Sequence, residues 1–153
     1  MRILVSLTII VAVLFTSCKQ QDDTLTDKKG QVKAKNIILL IGDGMGFAQL
    51  HAGITTSKDN LNIQQFPVTG IIKTHSLDDY ITDSAAGGTA LATGKKTGNK
   101  VIGMDTTGNN YTSILEIAEK NGLGTGLIST SAITHATPAS FIAHQPSRYM
   151  AQE

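Results

Sequence analysis

Several absences narrow the reading of this 153-residue chain before any motif is considered. It has one cysteine, Cys18, so no disulfide can form within the chain. It has no tryptophan, only three prolines and few aromatic residues, while hydrophobic residues make up 41% of the sequence, which fits an ordinary globular core and not a low-complexity polymer. Charge of one sign is also missing: 13 basic and 12 acidic residues leave a net charge of +1 and are spread along the chain, so there is no electrostatic footprint for nucleic acid. No internal repeat is visible.

The longest apolar run, residues 3–15 (ILVSLTIIVAVLF), is 13 residues long and follows Arg2. That is signal-peptide length, short of the ~20 residues a membrane-spanning helix needs. Small residues then precede Cys18, as in a bacterial lipobox, although Phe15 stands where leucine is usual. The expected organisation is a lipoprotein-type signal peptide at 1–17, a lipid-bearing Cys18 opening a polar tether at 18–33, and a domain from 34 to 153. A plain secretory signal with an incidental thiol is the other reading. Both predict export, to the periplasm or the outer membrane, with the membrane reached through a lipid anchor in the first case.

Within the domain, 36–41 (NIILLI) is a largely β-branched apolar run ending at Gly42-Asp43-Gly44-Met45-Gly46. A run apolar on both faces suits a central strand covered by helices on each side, and Asp43 then lies at the strand's C-terminal end, where ligand sites of α/β sheets gather. The segments 68–75 and 124–131 read as further strands. Helices are expected from Ser84 to about Thr93, over 112–121 with Gly122 as the stop, and from Thr137-Pro138, with Thr137 as cap. Glycines 87 and 88 weaken the first of these helices intrinsically, so they predict a close approach by a neighbouring element. The alternation predicts an α/β fold, a three-layer α/β/α sandwich with a largely parallel sheet.

Thr82-Asp83-Ser84-Ala85-Ala86-Gly87-Gly88 is the most informative stretch. A serine at a helix start faces unpaired N–H groups and the positive end of the helix dipole, where a phosphate or developing oxyanion is stabilised. Ser84 is therefore the candidate nucleophile, against the alternative that Asp83 or Ser84 only caps the helix. Familiar phosphate and hydrolase motifs fail: no third glycine follows Gly42-x-Gly44 or Gly44-x-Gly46, Lys96 replaces the Ser/Thr of a phosphate loop, and Thr82 and Ala86 replace the glycines of a serine-hydrolase elbow. A metal ion is another way to activate a serine, and Asp43 and the 134–138 turn offer oxygen ligands for a hard cation. His51, His75 and His144 share no metal spacing and read as ordinary core or surface histidines.

Taken together, NIILLIGDGMG (36–46), TDSAAGGTALATG (82–94) and THATPASFIAHQPSR (134–148) resemble the N-terminal third of a bacterial alkaline phosphatase. The resemblance implies phosphate monoester hydrolysis through a covalent phosphoserine on Ser84. Arg148 clamps phosphate oxygens in this reading and Asp83 orients Arg148. Asp43, Ser84 and Thr137 become metal ligands, and His135, a position where some members carry aspartate, a fourth that favours a softer metal or a water-mediated contact. The implied cofactors are two Zn2+ and one Mg2+, the partners small-molecule phosphate monoesters, and the parent enzyme a homodimer. Members of the family are longer and take most zinc ligands from later segments, so the chain is expected to be an N-terminal portion that is inactive alone. A related metal-dependent phosphodiesterase or sulfatase, and a lipid-anchored binding fragment without catalysis, are the alternatives.

Overall fold

The computed structural model describes residues 34–150, so the signal, Cys18 and most of the tether lie outside the described residues. The chain divides into two units at residues 39 and 40. Of the first, residues 34–39 are described, with neither helix nor ladder and with Ile37 and Ile38 exposed.

The second unit carries the helices. The turn Gly42-Asp43-Gly44-Met45 closes with the Met45 N–H donating to the Gly42 carbonyl at 3.1 Å. Its third residue, Gly44, has φ 67, a conformation that costs any side chain with a Cβ. Helix α1 follows at Phe47–Thr56, with the Gln49 side chain accepting from the Gly46 N–H at 3.0 Å. A short 3-10 turn occupies Asn62–Gln65. Helix α2 spans Ser84–Thr93, as the small-residue pattern predicts, and ends on Gly94 in the left-handed region. Helix α3 covers Ile114–Lys120, opened by a reciprocal cap between Ser113 and Glu116, and Gly122 just beyond it has φ 72.

Helix α4 is one turn, Ala136–Ala139, and corrects an expectation. His135 is its N-cap, so Thr137 lies inside the turn and its hydroxyl is not the cap. The sheet is a separate matter. The segments 36–41, 68–75 and 124–131 form no ladder; pairing among the described residues consists of the isolated antiparallel bridges Ile102 to Gln145 and Met104 to Asn110. Ile37 and Ile38 of the run apolar on both faces are exposed, as are Val68, Ile71, Ile72 and Ile128 of the other two, so no layer covers them among the described residues.

The core is built from small residues where α2 packs on α4, with Ala85, Ile102, Ala136 and Ala139 buried together and Ala143 against them. Gly88 makes this approach possible. A Cβ there would lie 2.9 Å from Ser140 Oγ and 3.3 Å from Thr137 Cα, whereas one on Gly87 would meet only Thr82 at ordinary contact distance. The expected close approach is thus real at Gly88 and absent at Gly87.

Candidate active site

Asp83 is the N-cap of α2: its Oδ1 accepts from the Ala86 N–H at 2.9 Å. The capping reading of this pair is therefore correct for Asp83, and it leaves the Ser84 hydroxyl unused by the helix. Ser84 Oγ instead accepts a hydrogen bond from Arg148 Nη1 at 2.8 Å. The same nitrogen donates to Asp83 Oδ2 at 3.2 Å, an ion pair in which both side chains are more than three-quarters buried. Residues 65 and 64 positions apart in sequence are thus gathered at one helix N-terminus. Arg148 Nε and Nη2 have no partner among the described residues, so the guanidinium keeps donors for a planar anion.

The backbone of Lys100 ties these parts together. Its N–H donates to Asp83 Oδ2 at 3.1 Å, and its carbonyl accepts from the Arg148 N–H at 2.7 Å. Lys100 has φ 73, in the left-handed region that non-glycine residues seldom adopt. Beside it, Asn99 Oδ1 accepts from the Asp83 N–H at 2.9 Å. Neither Asn99 nor Lys100 is visible as functional in the sequence, because a Gly-Asn-Lys loop reads as turn chemistry and nothing else.

A second pair forms one turn further along. Thr137 Oγ1 donates to Asp43 Oδ2 at 3.0 Å, joining two residues 94 positions apart. Ser84 and Gly88 share a face of α2 one turn apart, and Gly88 abuts Thr137, so the two pairs adjoin the same helix contact. Asp43 and Thr137 offer oxygen atoms, the donor type that magnesium takes. The donor chemistry fits that ion, and the pair supplies only part of a coordination shell. His135 is exposed and its ring makes no hydrogen bond among the described residues. No group of three His, Cys, Asp or Glu converges among the described residues, so they do not fit a zinc pair.

A shallow cavity of about 220 Å³ is lined in part by Arg148 and mainly by apolar side chains including Ile102, Ile133, Ala139 and Ile142. Neither Ser84 nor Asp43 lines it. His144 is half-buried and bonded within the fold: Nδ1 lies 2.7 Å from the Gly103 carbonyl, which can only accept, so Nδ1 carries a proton. Its Nε2 lies 3.4 Å from Glu116.

The model of the alkaline phosphatase family matches residues 34–153. The chain belongs to the alkaline phosphatase family. Alkaline phosphatase 4 of Bacillus subtilis is 43% identical over 154 residues, covering 94% of this chain and 33% of its own length. Alkaline phosphatase of Escherichia coli K12 is 42% identical over 136 residues, covering 82% of this chain and 28% of its own. Among solved structures, the alkaline phosphatase from the Antarctic bacterium TAB5 is 43% identical with a TM-score of 0.69, covering 71% of this chain and 32% of that one. A variant of the TAB5 enzyme, solved with Mg bound in its M3 site, is 42% identical with the same TM-score and coverage. The fold is therefore alkaline phosphatase-like, and the chain spans about a third of the length of these relatives.

Proposed function

We propose that the chain carries the nucleophile end of an enzyme that hydrolyses phosphate monoesters through a phosphoserine on Ser84. The observation that carries this reading is the single Arg148 nitrogen shared between Ser84 Oγ and Asp83 Oδ2. A serine hydroxyl aligned by a guanidinium at the start of a ten-residue helix lies where phosphoryl oxygens gain from both the fixed cation and the helix dipole. The alkaline phosphatase relatives support the reaction class, as does the streptomycin-6-phosphate phosphatase of Streptomyces griseus, 37% identical over 134 residues.

In this reading Ser84 Oγ attacks phosphorus in line with the leaving ester oxygen, forming the Ser84 O–P bond as the ester P–O bond breaks, and the serine proton is carried off by the departing alcohol. The free donors of Arg148 hold two phosphoryl oxygens, and the Asp83 carboxylate keeps the guanidinium in plane. Water then displaces Ser84 and releases inorganic phosphate. Asp43 and Thr137 would hold part of a magnesium site, and a bound cation would supply Lewis acidity toward the serine and the phosphoryl group. Zinc and a homodimeric parent rest on the resemblance alone.

The same proposal extends to the parts that the described residues leave open. The runs at 36–41, 68–75 and 124–131 would take strand positions in a parallel sheet of a three-layer sandwich; the apolar run at 36–41 and the β-branched residues of the other two support this. The short apolar run before Cys18 supports export and a lipid anchor at that cysteine, to the periplasm or outer membrane.

Incubation with a radiolabelled phosphate ester under acid quench tests the central claim. Label should appear on Ser84 and vanish in Ser84→Ala. Hydrolysis of a monoester that persists in Ser84→Ala would overturn it.

A further inference from the structure

Besides the Arg148 hydrogen bond to its hydroxyl, the position of Ser84 depends on the peptide before it. The Asp83 N–H donates to Asn99 Oδ1 at 2.9 Å, while Asn99 Nδ2 donates to the Ile81 carbonyl at 3.0 Å. One side-chain amide therefore grips the chain at two points, on either side of Thr82, immediately before the helix start. Asn99 is itself held. Its N–H donates to Asp78 Oδ1 at 2.8 Å, and the same oxygen accepts from the Ser76 hydroxyl at 2.8 Å. Ser76 is buried, and a Cβ on Gly98 would lie 3.0 Å from Asp78 Oδ2, so a side chain at 98 would press on the Asp78 carboxylate.

A continuous chain of hydrogen bonds thus runs from Ser76 through Asp78, Asn99 and Asp83 to Arg148 and Ser84. Every link before Asp83 lies outside the phosphate-binding groups. We propose that Asn99 is a positioning residue for the nucleophile: its side-chain amide fixes the Ile81–Asp83 segment and thereby aims Ser84 Oγ at phosphorus. The proposal rests on the reading of Ser84 as nucleophile.

Removing the amide leaves Arg148 and its phosphate donors in place, so substrate binding should change little while in-line attack suffers. A misplacement of about 1 Å can cost on the order of 100-fold in rate. Asn99→Ala should lower kcat by roughly 10- to 100-fold, with KM changed less than about 3-fold. Amide hydrogen exchange supplies a readout that does not need turnover: Asn99→Ala should speed exchange at the Asp83 amide, with helix α3 unaffected. Asn99→Asp keeps the acceptor and loses the donor, and should restore most of that protection.

An unchanged kcat in Asn99→Ala would overturn the proposal, as would a loss of kcat matched by faster exchange throughout the domain. If the parent protein takes no label on Ser84, the functional reading fails on its own. Exchange at Asp83 that is equally fast in wild type and Asn99→Ala would then show separately that Asn99 fixes nothing.

Discussion

At the scale of single residues, Asp83 does two jobs with two oxygens. Oδ1 caps α2 through the Ala86 N–H, and Oδ2 accepts from Arg148 and from the Lys100 backbone. The jobs separate by substitution. Asparagine caps helices about as well as aspartate, so Asp83→Asn should keep the cap and lose the charge that holds Arg148. Asp83→Ala loses both, with the missing cap alone costing about 1 kcal/mol. Urea denaturation should therefore show Asp83→Ala clearly less stable than Asp83→Asn, while both hydrolyse phosphate esters more slowly than wild type. Equal destabilisation in the two would mean that the ion pair, and not the cap, holds this helix start. The residues of the site were legible because Asp83, Ser84 and Arg148 sit in motifs whose chemistry is carried by the side chain itself. Asn99 and Lys100 were not, because the Asn99 amide and the Lys100 backbone meet Asp83 only once the loop is folded against the start of α2.

At the scale of elements, the contact between α2 and α4 turns on Gly88. Alanine gains up to about 1 kcal/mol over glycine in a helix interior, so intrinsic propensity alone favours replacing both Gly87 and Gly88. Packing separates them. At Gly88 the added methyl meets Ser140 and the Thr137 backbone, and at Gly87 it meets only the Thr82 side chain at 3.6 Å or more. Thermal melts should show Gly87→Ala at or above the wild-type Tm and Gly88→Ala below it. Helix α3 gives a pH test. The Ser113 N–H donates to Glu116 Oε2 at 2.6 Å, and this bond, with help from His144, holds the Glu116 carboxyl below its ordinary value. A depressed folded value means that the stabilisation is fully present above the unfolded carboxylate value of about 4.3 and disappears as pH falls through the folded one. Below about pH 4 the wild-type Tm should fall more steeply than that of Glu116→Gln, which keeps an acceptor but does not titrate. Parallel curves would remove Glu116 from the acid response. Caps and helix stops were readable because they are local; the start of α4 was misplaced by the appeal of Thr-Pro as a helix opening, when Thr137 spends its hydroxyl on Asp43.

At the scale of the molecule, the strands were the part that sequence could name but not place. Composition marks 68–75 and 124–131 as strand candidates with a few apolar side chains to cover; it says nothing of what covers them. Among the described residues nothing does, and Ile128 is 98% exposed and Val68 83%. Exposed apolar side chains in such number bind hydrophobic dyes and promote association. The 153-residue chain should therefore raise the fluorescence of 8-anilinonaphthalene-1-sulfonate and sediment with a concentration-dependent average mass. Ile71→Lys combined with Ile128→Lys should weaken both effects. Because these side chains bury almost no area in this chain, and hydrophobic stabilisation scales with area removed from water, the double variant should melt within a degree or two of wild type. A drop of many degrees would show that the two isoleucines are already packed, and that the runs at 68–75 and 124–131 form their sheet within this chain alone.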